Sequence, residues 1–134
     1  MTPSKPNLFP KEYATHLLQI AAGDLATALA LLNAPKPGRL ENIPFMIQQA
    51  VEKAIKSVLI KKQIAFPLVH DLGILIALLP ASNYPPGGFE WTALNPFASI
   101  RRYEEGALRI TREEIQAAYD AALLVMEWAK HICR

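Results

Sequence analysis

The chain has 134 residues, enough for one domain with a buried core. With 51% hydrophobic against 19% charged residues, it is too apolar to be a disordered segment. A net charge of +2 and a pI near 8.8 are too mild to imply a nucleic-acid partner by themselves.

Cys133 is the single cysteine, so no internal disulfide can form, and no Cys/His cluster has zinc-like spacing. These features set the expectation of a reducing, cytoplasmic setting, with no metal and no cofactor. The N-terminal MTPSKPNLFPKEY lacks the apolar core of a signal peptide. The longest apolar run, Leu72 to Leu79, falls well short of the roughly 20 residues that span a bilayer, so no membrane partner is expected.

Residues 1–8 contain two prolines and little pattern, and read as a flexible arm before a helical domain over 9–134. Pro10 suits the first turn of a helix, where its missing N–H costs nothing. From Lys11 to Leu32 the apolar residues Tyr13, Leu17, Ile20, Ala21, Ala28, Leu29 and Leu32 recur at helical spacing. Gly23 inside this helix costs it about 1 kcal/mol relative to alanine. NAPKPG at 33–38 ends it. A second helix is predicted from Pro44 or Phe45 to Lys62, facing inward with Ile47, Ala50 or Val51, Ala54, Ile55, Val58 and Leu59.

Pro67 follows the turn, and a short third helix is predicted from His70 or Asp71 to Leu79, with Asp71 as N-cap. PASNYPPGGF, residues 80–89, is the richest stretch in helix breakers. In the last helix, Thr111 and Glu114 form a T-x-x-E capping box. Ile115, Ala118, Tyr119, Ala122, Leu123, Met126 and Ala129 then repeat at three and four. No segment alternates long enough to argue for a sheet. The pattern predicts an all-α fold: an antiparallel, up-and-down four-helix bundle with an extra short helix. Trp91 and Trp128 read as core or interface anchors.

Gln49, Glu52, Lys53 and Lys56 of the second helix fall within about a third of its circumference, opposite the apolar stripe. Glu52 and Lys56 form an i,i+4 pair in the favoured orientation. Residue chemistry leaves two readings open, a solvated face with an internal ion pair or one wall of a site. His70 beside an N-cap is likewise either a packed, hydrogen-bonded residue or a functional one. Arg101, Arg102 and Tyr103 suit a phosphate by paired hydrogen bonds and a base by stacking. They suit carboxylate partners equally, with Glu104, Glu105, Glu113 and Glu114 close in sequence. No nucleophile elbow or phosphate-cradling glycine loop is present.

The run FMIQQAVEKAIKSVLIKK resembles the second helix of HEPN domains: an aromatic residue, then Q-Q-A-x-E-K-A-x-K, then aliphatics. As in that family, a short turn, a proline and H-D-L follow, here His70, Asp71 and Leu72. Arg102-Tyr103 and the closing helix introduced at Thr111 to Glu114 extend the resemblance over nearly all of residues 9–134. It implies a helical bundle, usually a homodimer, tied to nucleotide or RNA chemistry and often paired with a small nucleotidyltransferase in a toxin–antitoxin-like system. Ribonuclease members carry R-x(4–6)-H, yet no arginine here precedes a histidine at that spacing. The resemblance therefore implies the binding branch, a module for a nucleotide or nucleotidyl substrate with no catalytic residue assigned. Lys53, Lys56, Arg101, Arg102 and Tyr103 would contact the ligand, supported by Gln49, Glu52, His70 and Asp71. A ribonuclease using His70 with Arg102, and a purely structural interaction module, are the alternatives.

Overall fold

In a computed structural model of the chain, residues 5–98 and 109–134 are described. Four α-helices occur among them: α1 (Tyr13–Asn33), α2 (Asn42–Lys61), α3 (Leu72–Ala77) and α4 (Arg112–Cys133). Short 3-10 turns run over Ala81–Asn83 and Trp91–Ala98. The all-α expectation holds, and the described residues contain no strand, only one isolated bridge between Asn7 and Phe66.

The ends of the helices fix their directions. Asp24 of α1 meets Lys53 of α2, as an antiparallel pair joined by a short loop requires. Arg112 Nη1, at the start of α4, donates to the Leu32 carbonyl at the end of α1, 3.3 Å away. Thr15 and Leu18 lie beside Lys130 and Cys133 at the other end. So α4 is antiparallel to α1 and parallel to α2, and the chain must return between them. That third leg is made by α3 and the 3-10 run from Trp91 instead of one continuous helix. Pro80, Pro85, Pro86 and Pro96, with Gly87 and Gly88 at positive φ, break it up.

The termini follow local chemistry. At the end of α2 the Ile64 N–H donates to the Leu59 carbonyl and the Gln63 N–H to that of Ile60, closing a Schellman motif. Gln63 takes the left-handed position, φ 56°, where glycine is usual. Its amide nitrogen compensates by donating to the Ile60 and Phe9 carbonyls. The capping box at Thr111 and Glu114 forms with both its hydrogen bonds. Where the sequence suggests a loose arm, Asn7 exchanges two backbone hydrogen bonds with Phe66, and Phe9 stacks between Tyr13 and Phe66.

The helical wheels are partly corrected. The α1 core is Ala14, Leu17, Leu18, Ala21, Leu25, Ala28 and Leu32, whereas Tyr13, Ile20 and Leu29 are exposed, as is Leu123 of α4. α1 is also long and apolar enough to cross a membrane, with a mean hydropathy of 1.4, although no uninterrupted run in it reaches spanning length. The residues it buries against the bundle are all alanine or leucine, while Ala26, Leu29 and Ala30 lie exposed. The larger difference concerns α2. It is packed by α1, α4, α3 and the Trp91–Ala98 turn, and thirteen of its twenty residues are buried. A helix so enclosed has no broad outward face: in the Gln49–Lys56 stripe Glu52 is buried and Gln49, Lys53 and Lys56 are half-buried.

Gly23 is exposed, and a methyl group there would meet no atom within 4 Å. Gly23→Ala is therefore expected to stabilise the fold by about 0.5–1 kcal/mol, seen as a raised denaturation midpoint with an unchanged m-value.

Candidate functional site

Gln48 and Glu52 stand one turn apart on α2, 0% and 4% exposed. Burying a carboxylate costs several kcal/mol unless its oxygens are hydrogen-bonded. Glu52 meets that demand in full. Oε1 accepts from Gln48 Nε2 at 3.1 Å and lies 2.9 Å from His70 Nδ1, and Oε2 accepts from Lys56 Nζ at 2.9 Å. Gln48 Nε2 also donates to the His70 carbonyl at 2.9 Å, so Gln48 holds the backbone and Glu52 the ring of the histidine against α2.

The network continues towards α1. Gln49 Nε2 donates to Gln48 Oε1 at 2.7 Å, Lys53 Nζ donates to Gln49 Oε1 at 3.3 Å, and Lys53 closes the chain on Asp24 of α1. Asp24, Lys53, Gln49, Gln48, Glu52, Lys56 and His70 thus form one connected polar line through the bundle. No buried side-chain nitrogen or oxygen lacks a partner among the described residues. The i,i+4 pair Glu52–Lys56 expected from sequence exists, with Glu52 buried and Lys56 half-buried. Lys56 also lies 6.0 Å from the centre of the Phe66 ring.

The line reaches solvent at His70, whose side chain is 67% exposed. With Nδ1 held by Glu52, the ring presents Nε2 outward in a fixed direction. Asp71, beside it, caps α3: its Oδ1 accepts from the Gly73 and Ile74 N–H groups at 2.8 and 3.3 Å. The same oxygen accepts from Asn95 Nδ2 at 3.0 Å, and Asn95 Oδ1 accepts the Leu72 N–H at 3.0 Å. Asn95, which sequence reasoning did not single out, therefore clamps the H-D-L turn from the opposite wall. His70, Asp71, Asn95 and Ala98 line a cleft of about 260 Å3.

Of the residues expected at the site, Gln49, Glu52, Lys53, Lys56 and His70 are brought together, with Asp71 adjoining. Both lysines are engaged by carboxylates. Arg101, Arg102 and Tyr103 lie outside the described residues. Cys133 sits apart at the end of α4, and burial pushes its thiol pKa up, opposed in part by Lys61, so it is not an activated nucleophile. Among the described residues no three His, Cys, Asp or Glu side chains gather as a metal site would require.

Removing the carboxylate leaves the half-buried Lys56 ammonium without its acceptor, while Gln48 Nε2 keeps only the His70 carbonyl. Glu52→Ala should destabilise the protein by about 3 kcal/mol in urea unfolding, since breaking a buried pair strands its partner. A loss below about 1 kcal/mol would instead mark Glu52 as a solvated surface group.

A search of curated proteins found no match, and neither did a search of solved structures. The family model for the HEPN domain matches residues 14–132, from the first buried residue of α1 to the last turn of α4. That span covers the four described helices but for Tyr13 and Cys133, together with the polar line and the cleft at His70, and the chain accordingly belongs to the HEPN domain family of nucleotide-binding and ribonuclease-type modules.

Proposed function

We propose that this chain is a non-catalytic HEPN module that binds a nucleotide or nucleotidyl substrate at the His70 cleft. The observation that carries the reading is the exposed imidazole pinned through Nδ1 to a buried carboxylate at the cleft mouth. Such a ring offers Nε2 to a phosphate oxygen or a base edge without losing orientational freedom on binding. Asn95 and Asp71 stiffen the wall beside it. The sequence runs on from Ala98, at the cleft, to Arg101, Arg102 and Tyr103, to which the proposal assigns phosphate contact and base stacking.

Lys53 and Lys56 enter the proposal as the cationic side of the site. A phosphate that reached Lys56 would have to share it with Glu52, and one that reached Lys53 would share it with Asp24. Their contribution is therefore an ammonium group that the ligand phosphate takes up in competition with those carboxylates, with Gln49 and Glu52 as supports. The module would act in the cytoplasm as a homodimer, together with a small nucleotidyltransferase in a two-component, toxin–antitoxin-like system. Exposed apolar side chains support association with a second chain: Ile20 and Leu29 on α1, Leu123 and Leu124 on α4.

Calorimetric titration with a nucleotide panel should give saturable heats, and His70→Ala should weaken the best ligand about tenfold, the worth of one charged hydrogen bond. No heat and no thermal shift at millimolar nucleotide would sink the binding reading.

The Glu52–His70 pair also favours a second reading, because a carboxylate-oriented histidine is suited to general acid–base work. Incubation with single-stranded and structured RNA separates the two. The binding module leaves RNA intact, whereas cleavage abolished by His70→Ala would replace it with a ribonuclease.

A further inference from the structure

A second groove, of about 320 Å3, shares no lining residue with the His70 cleft or with the polar line. Its walls are Ile76, Tyr84, Phe89, Glu90, Trp91 and Thr92. Gly73 closes one side tightly: a methyl group there would stand 3.0 Å from Thr92 Cγ2. The groove is therefore held by packing between α3 and the Trp91–Ala98 turn. Phe89 and Trp91 lie with centroids 4.7 Å apart and planes tilted by 48°, and Tyr84 is 51% exposed on the rim.

The charge of this groove is one-sided. Glu90 supplies its only carboxylate, and no lysine, arginine or histidine lines it among the described residues. Glu90 Oε1 accepts from Thr92 Oγ1 at 2.9 Å, which fixes the carboxylate and leaves Oε2 without a partner among the described residues. Aromatic faces are negative and attract cations, so three rings beside one fixed carboxylate select a positive, weakly hydrated group. A guanidinium fits better than an ammonium, because it is planar, stacks on rings and sheds water more readily. Beside Gly88 a methyl group would meet nothing within 4 Å, so a polypeptide backbone can approach there.

We propose that this groove binds the arginine side chain of a partner protein, with the guanidinium stacked on Tyr84 or Phe89 and bonded to Glu90. The site is separate from the His70 cleft, so its failure leaves the nucleotide reading untouched. The test is an NMR titration of the full chain with the peptide acetyl-Gly-Arg-Gly-amide. Saturable shifts are expected at the Gly88 and Thr92 amides and the Trp91 indole, with no shift at the His70 amide. The citrulline peptide, equal in shape but uncharged, and the Glu90→Gln variant should each bind about tenfold more weakly, and Tyr84→Ala at least about threefold more weakly. Both side chains are exposed, so the variants should keep the native spectrum elsewhere. The proposal is overturned by citrulline binding as well as arginine, by Glu90→Gln binding unchanged, or by no shift at about 10 mM peptide. A lysine peptide equal to arginine overturns the guanidinium assignment.

Discussion

A carboxylate can be buried in the middle of a helical bundle only if every side of it meets a donor, and Glu52 imposes that condition on the whole molecule. Its three partners come from two places: Gln48 and Lys56 on α2 itself, and His70 on the connection to α3. The connection must therefore turn back across α2 at a fixed height. The Schellman end at Gln63, the bridge from Asn7 to Phe66 and the clamp by Asn95 all serve that path. α1 joins through Asp24, which anchors the far end of the same polar line at Lys53. The bundle thus has an apolar core flanked by one continuous set of hydrogen bonds, buried at Gln48 and Glu52 and half-buried at Asp24, Gln49, Lys53 and Lys56.

This arrangement explains why the candidate site lies where it does. Interior polar groups carry no function while they satisfy one another, and here the line surfaces at the single exposed ring of His70. Fixing Nδ1 by a buried acceptor sets both the orientation of the ring and the nitrogen that faces solvent. Asp71, the next residue, spends its carboxylate on the free N–H groups of α3 and on Asn95. Adjacent residues thus divide the work, one presenting a group to the cleft and the other holding the backbone beneath it. Membership of the HEPN family gives this geometry its context of nucleotides and RNA.

The parts that were legible in the sequence are those governed by local rules. Proline and glycine placed the breaks, the T-x-x-E box started α4, and Asp71 before an aliphatic run announced α3. The inward set of α2 was also readable, because Ile47, Ala54, Ile55, Val58 and Leu59 are apolar at helical period. The polar face of the same helix stayed open between a solvated surface and the wall of a site, because nothing in periodicity reveals that neighbours cover a helix on both sides. Tyr13, Ile20 and Leu29 were misplaced for the converse reason, since an outer helix keeps some apolar residues on its surface.

By itself the sequence determined the helical class, the ends of the main helices and, through the Q-Q-A-x-E-K-A-x-K and H-D-L segments, the family. Those depend on capping, backbone restriction and side-chain period, which act within a few residues. Only the tertiary structure decided that Glu52 is interior, that it reaches His70 eighteen positions away, and that Asn95 closes the turn. Desolvation and hydrogen-bond partnership depend on which distant segments come into contact, and the packing of α2 on all sides sets that.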